Sequence, residues 1–152
     1  MRPVSDADSD FLFLLYASTR AEEMAMVDWS DAQKQAFLQM QFRAQTEHYI
    51  QHYANGRFDI IEQDGVAIGR LYLDQQQSEL CIIDIALLAE FRGQGIGRYY
   101  LETVIERARR QGCSVSIHVE RNNPAMNLYQ RLGFEKVEDK GVYWFMRWSA
   151  QN

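Results

Sequence analysis

The apolar positions of this chain change their period several times. Residues 5–20 open on the cap-type residues Ser5, Asp6 and Asp8 and run into Phe11, Leu12, Leu14, Leu15 and Tyr16, which predicts a capped and well-buried helix. A second helix is predicted from Ser30 or Asp31 to about Tyr53, where Leu38, Phe42, Tyr49 and Tyr53 recur at helical spacing and Asn55-Gly56 marks the end. From Arg57 the period shortens. Phe58, Ile60 and Ile61 lead into a Gln-Asp-Gly turn at residues 63–65, and Val66, Ile68, Leu71 and Leu73 follow, a hairpin pattern. Residues 79–88 are almost continuously apolar, as expected of a central strand covered on both faces.

After that strand comes Arg92-Gly93-Gln94-Gly95-Ile96-Gly97-Arg98, and then Tyr100, Leu101, Val104, Ile105 and Ala108 share one helical face until Gly112. Val115, Ile117 and Val119 alternate with Ser116, His118 and Glu120, giving a further strand, and Pro124 opens a short helix through Leu132. Residues 134–138 and 142–148 read as two closing strands around a turn at Asp139-Lys140-Gly141. The sum is one mixed α/β domain over residues 1–152: helices at 1–56, then a hairpin, β-loop-α-β-α and a closing hairpin at 57–148.

Composition supports a folded chain and narrows its partners. Of 152 residues, 47% are hydrophobic and 24% charged, far from the composition of disordered segments. The net charge of −5 argues against nucleic acid as a partner. Cys81 and Cys113 stand apart from any Cys or His at metal-ligand spacing, so two buried thiols and no metal site are expected. No apolar run has the length of a membrane helix, and the first residues lack the apolar core of a signal peptide, so no membrane partner is expected and the cytoplasm is the expected compartment.

The candidate chemistry lies in the glycine loop. Glycines at 93, 95 and 97 permit a tight turn and bring backbone N–H groups close to a ligand, and the N-terminus of the following helix adds its positive dipole end. A diphosphate suits such a cradle. An NTPase P-loop would need Gly-Lys-Ser/Thr where Gly97 is followed by Arg98 and Tyr99, and a dinucleotide fingerprint would need its third glycine one residue later. Arg92, Gly95 and Gly97 instead form Arg-x-x-Gly-x-Gly, which resembles the coenzyme A pyrophosphate loop of the GNAT acetyltransferase superfamily. Downstream, Ile117-x-Val119-x-x-x-Asn123-Pro124-Ala125-x-x-Leu128-Tyr129-x-x-x-Gly133-Phe134 resembles the strand, asparagine, short helix, tyrosine and Gly-Phe pattern of the same family. The resemblance covers about residues 57–148, and only Arg2-Pro3-Val4 is left for the family's first strand.

The resemblance implies a mostly antiparallel central sheet of six or seven strands, splayed at the coenzyme A site and flanked by about four helices. It implies acetyl-CoA as cosubstrate and no metal, with the acetyl group moved by direct attack of a primary amine. The backbone of Ile85, Ala86 and Leu87 would pair with the pantetheine arm. Residues 93–98 (Gly93, Gln94, Gly95, Ile96, Gly97 and Arg98), together with Arg92, would hold the pyrophosphate, and Arg98 and Arg131 are further charged donors. Asn123 is matched to a pantetheine ligand, while an Asn-Pro helix cap explains it equally. Tyr129 is matched to the acid that protonates the departing thiolate.

A lysine-type ammonium must lose a proton before it can attack. Asp84, which interrupts an apolar strand, and Glu120, at the end of the next, are candidate bases; a structural ion pair for Asp84 and a solvated strand-end charge for Glu120 are the alternatives. His118 is expected to be structural. Residues 1–50 carry eight acids against four bases, which favours a cationic acceptor if this half lines the cleft. The acceptor, small molecule or peptide, stays open, as does a homodimer. The rival reading is a non-catalytic acyl-CoA sensor or interaction domain.

Overall fold

The computed structural model of the protein describes residues 1–150. One sheet of seven strands organises it, in the order β1-β2-β3-β4-β5-β7-β6. The strands are β1 (Arg2–Pro3), β2 (Arg57–Gln63), β3 (Val66–Gln75), β4 (Glu79–Leu87), β5 (Ser114–Glu120), β6 (Glu135–Asp139) and β7 (Tyr143–Trp148). All neighbours are antiparallel except β4 and β5. The predicted central strand is the fourth of seven. The family's first strand is reduced to two residues, with Arg2 opposite Ile60 and Pro3 opposite Asp59.

Helices cover both faces. On one, α4 (Ile96–Gln111) lays Leu101, Val104, Ile105 and Ala108 on Ile68, Leu71, Ile82, Val115 and Ile117. These helix positions recur at three and four residues, the spacing of a single buried stripe. Gly112 ends the helix in a left-handed conformation (φ +69°), letting Cys113 N–H return to the Ala108 carbonyl. On the other face, α1 (Ser9–Thr19) and α3 (Asp31–His52) bring Leu12, Phe42 and Tyr49 onto Ile60 and Tyr72. A capping box starts α3: Ser30 Oγ accepts from Gln33 N–H, and Gln33 Oε1 accepts from Ser30 N–H.

The structure departs from the predicted elements in three places. The first helix is broken into a 3-10 turn at Asp6–Asp8 and α1, because the Asp8 carboxylate folds back to accept from Ser5 N–H and from both terminal nitrogens of Arg2. A fifth helix, α2 (Ala21–Ala25), was not predicted; it buries no side chain and so leaves no apolar period to read. The short helix α5 spans Met126–Arg131 rather than starting at Pro124, since residues 123–126 form a turn in which Met126 N–H donates to the Asn123 carbonyl.

Gly69 on β3 faces the end of β4 so closely that a Cβ would lie 2.3 Å from the Ala86 carbonyl oxygen. Gly69→Ala is therefore expected to lose about 1–3 kcal/mol of stability by overpacking, read as a lowered denaturant midpoint; an unchanged midpoint would contradict this packing.

Arg2 and the Ser5 backbone hold the Asp8 carboxyl well below its ordinary value. A depressed folded value means stability that is full at neutral pH and lost as the pH falls. Asp8→Asn should lower Tm at pH 7, with the gap to wild type closing below roughly pH 3.9, the ordinary aspartate value. A gap that persisted at low pH would show another origin.

Candidate functional site

The site begins where two strands part. β4 and β5 pair only from Glu79 opposite Ser114 to Ile82 opposite Ile117. At the next residue β4 carries a bulge, for its register with β3 passes from Leu73 opposite Ile82 to Tyr72 opposite Asp84 and leaves Ile83 unpaired. A bulge bends its strand and increases the local twist. β4 continues beside β3 as far as Leu87, while β5 stays with β7 as far as Glu120. A wedge opens between residues 83–87 and residues 118–120, and among the described residues β4 has no strand partner on that edge. Ile85, Ala86 and Leu87 lie along it.

β4 leads into the glycine loop at the head of the wedge. A 3-10 turn at Ala89–Phe91 ends in Arg92, whose Nε donates to the Leu87 carbonyl at 3.0 Å and ties the loop to the strand end. Gln94 Nε2 donates to the Glu90 carbonyl at 2.8 Å. Gly93 and Gly95 have φ of +73° and +83°, and nothing lies within 4 Å of where a Cβ would stand on either. The first N–H in this stretch to find a backbone acceptor is that of Tyr99, which donates to Gly95 O. Among the described residues the six N–H groups of residues 93–98 make no backbone hydrogen bond, and the first turn of α4 carries no acid. This is an uncovered, positively polarised cradle.

The side chains of the two loop arginines serve the protein's own structure: Arg92 as above, and Arg98 by pairing with Glu102 at 2.8 Å on the exposed face of α4. Arg131 lies exposed at the end of α5. Asn123 Oδ1 accepts from Ala125 N–H at 2.8 Å, which closes the turn before α5 rather than capping the helix itself, whose N-cap is Ala125, and the Asn123 amide nitrogen makes no hydrogen bond among the described residues.

Tyr129 is buried on α5, its ring edge-on to Phe134 at 5.8 Å. Burial first, and the Asp84 carboxylate second, push its pKa above the ordinary tyrosine value, so the phenol stays protonated at neutral pH. Its oxygen is not among the sealed, unpartnered polar atoms of the interior.

Both candidate bases are ion-paired with arginines. Asp84 Oδ2 accepts from Nε of Arg70, a β3 residue only 4% exposed. Arg70 Nη2 donates to Gln45 Oε1 of α3 at 3.0 Å, and the guanidinium lies over the Tyr72 ring, 4.8 Å from its centroid. Glu120 Oε1 meets Arg20 Nη1 at 3.2 Å, and the same nitrogen meets Glu23 at 3.1 Å. His118 lies with its ring 4.9 Å from that of Phe145; desolvation of the ring, then the Lys140 charge, hold it below the ordinary histidine value.

Sequence reasoning missed Arg70, Gln45 and Arg20. The signal for Arg70 was present: a charge in the middle of Val-Ala-Ile-Gly-Arg-Leu-Tyr-Leu breaks an apolar strand just as Asp84 does. Two opposite charges interrupting adjacent buried strands are expected to meet.

Residues 20–134 match the model of the Acetyltransferase (GNAT) family. N-alpha-acetyltransferase 50 of Danio rerio is 32% identical over 83 residues, which are 53% of this chain and 49% of that protein. The uncharacterized N-acetyltransferase YdgE of Bacillus subtilis is 31% identical over 106 residues, 61% of this chain and 68% of that one. The chain thus spans about half the length of the first of these relatives. PaiA N-acetyltransferase of Thermoplasma acidophilum, solved in complex with coenzyme A, superposes with a TM-score of 0.73 at 17% identity, covering 98% of this chain and 97% of that one. Arabidopsis thaliana Naa50, solved with the bisubstrate analogue CoA-Ac-MVNAL, superposes with a TM-score of 0.65 at 18% identity over 97% and 96% of the two chains. At these identities the likeness is one of fold. With the family match over residues 20–134 and a sheet that parts beside a glycine loop, the chain belongs to the GNAT acetyltransferase family.

Proposed function

We propose that this protein is an N-acetyltransferase that takes the acetyl group of acetyl-CoA and passes it to a primary amine. The observation that carries the reading is the continuity of two unsatisfied backbone surfaces: the free edge of residues 83–87 and the six unpaired N–H groups of residues 93–98. The β4 edge is half-buried and its backbone groups need partners there, the loop N–H groups stand open at the surface, and an extended arm ending in a diphosphate supplies partners for both. The cradle fits a diphosphate, being open over Gly93 and Gly95 and free of acids in its first helical turn.

Acetyl-CoA, when bound, supplies an activated acyl thioester. The chain's own residues do the rest. The β4 edge orients the arm, and a backbone N–H along that edge meets the charge that develops on the thioester oxygen. Asn123 offers its amide nitrogen to the arm. As the amine attacks and the carbon–sulfur bond breaks, the Tyr129 O–H donates its proton to the departing thiolate. Asp84 and Glu120 flank the region through which the amine enters.

The first test is thiol release from acetyl-CoA against a panel of polyamines, amino acids, aminoglycosides, lysine-bearing peptides and the peptide Met-Val-Asn-Ala-Leu. Tyr129→Phe should slow transfer by about tenfold or more while leaving CoA affinity nearly unchanged. Turnover unaffected by this variant at every pH would remove Tyr129 from the reaction. CoA binding without turnover on any acceptor would favour the sensor reading.

Gly95→Val places a side chain on a left-handed residue at the open cradle. The conformational strain alone is worth roughly 1–2 kcal/mol, and CoA affinity measured by calorimetry should fall about tenfold or more. Wild-type affinity in this variant would place the diphosphate elsewhere.

A further inference from the structure

A buried arginine on a central strand is a costly way to hold a fold together, since apolar residues of similar size often do as well. Arg70 is nevertheless held from three sides, by Asp84, Gln45 and the Tyr72 ring. What this achieves is seen at Asp84. One carboxylate oxygen is bound to Arg70; the other, Oδ1, makes no hydrogen bond among the described residues, and the side chain keeps 26% of its exposure. Asp84 sits one residue past the bulge, where the wedge begins. The charged and titratable groups around it are Arg70 and Tyr72 from β3, Tyr49 from α3 and Tyr129 from α5. Asp84 therefore keeps one carboxylate oxygen as a free, partly exposed hydrogen-bond acceptor beside the wedge, with its charge already balanced by Arg70. Glu120, at the other side of the wedge, is likewise paired, with Arg20.

A site of this kind accepts a hydrogen bond from a neutral amine but gives little stabilisation to an ammonium ion, and neither carboxylate stands unpaired to strip a strongly held proton. Amines differ widely in how much neutral form they offer. At pH 7 roughly one in seven molecules of a peptide α-amine is neutral, against roughly one in 2,500 for a lysine-type side-chain amine. Resting on the acetyltransferase reading above, we infer that the acceptor is an α-amine rather than a lysine-type amine, and that Arg70 is the positioning residue that sets this preference by balancing and orienting Asp84. The proton of the attacking nitrogen then passes to water rather than to a carboxylate of the wedge.

The test compares kcat/KM for two probes, the free-amine peptide Met-Val-Asn-Ala-Leu and Nα-acetyl-lysine amide, in wild type, Arg70→Gln and Arg70→Lys. Wild type should prefer the α-amine by about tenfold or more in kcat/KM. Arg70→Gln, which leaves Asp84 without a counter-charge, should cut that ratio about tenfold as the lysine-type KM falls, and Arg70→Lys should largely preserve it. A purely structural Arg70 would depress both probes alike and leave the ratio unchanged, which would overturn the inference. Should Arg70→Gln fail to fold, wild type still decides. Its kcat/KM should rise with pH along the acceptor's own ionisation, shifting when the α-amine is exchanged for one of different basicity; a fixed limb, or equal use of the lysine-type probe, would overturn the inference while leaving the acetyltransferase reading intact. Thiol release with neither probe, nor with the wider panel, would overturn both.

Discussion

The parting of β4 from β5 is the constraint on which the rest of the site depends. Four paired residues bring the two parallel strands together, and the bulge at Ile83 then turns β4 away while β3 keeps hold of its other edge. A sheet with an unpaired internal edge is unstable unless something satisfies it. Here the unpaired edge runs directly into a loop whose own N–H groups make no backbone hydrogen bond, so the two open backbone surfaces are continuous. Gly69 permits this geometry, since it lets β3 follow β4 past the bulge to Leu87 without a side chain between them.

Arginines organise what surrounds the wedge. Arg2 ties the two-residue β1 to the start of α1 through Asp8, Arg20 joins the end of α1 to the end of β5 through Glu120, and Arg70 joins β3, β4 and α3 through Asp84 and Gln45. The last two fix α1 and α3 against the strands that border the wedge. They also take up the two carboxylates that the sequence offers as bases. The same contacts thus act at two levels, fixing helices on the sheet and setting the charge of the cleft.

Much of this was legible in the sequence. The glycine loop, the central apolar strand and the amphipathic helix after it follow from local rules, each confined to a few adjacent residues. The Tyr129 motif was equally readable. Features that depend on contacts between distant segments were not. The bulge at Ile83 is silent because isoleucine suits a paired and an unpaired strand position alike, and the Arg20–Glu120 pair joins residues 100 apart in the chain. A count of charges along the chain likewise does not show that Asp84 and Glu120 are matched by Arg70 and Arg20 from other elements. α2, five residues with none buried, left no pattern to find.

The most direct measurement is amide hydrogen exchange of residues 83–98 with and without coenzyme A. Backbone N–H groups that lack partners exchange quickly, so the free protein should lose protection at residues 93–98 within the shortest labelling times. Binding should slow exchange across both the loop and the β4 edge while leaving β6 and β7 unchanged. Protection that did not change at residues 93–98 under saturating coenzyme A would contradict the account at its centre.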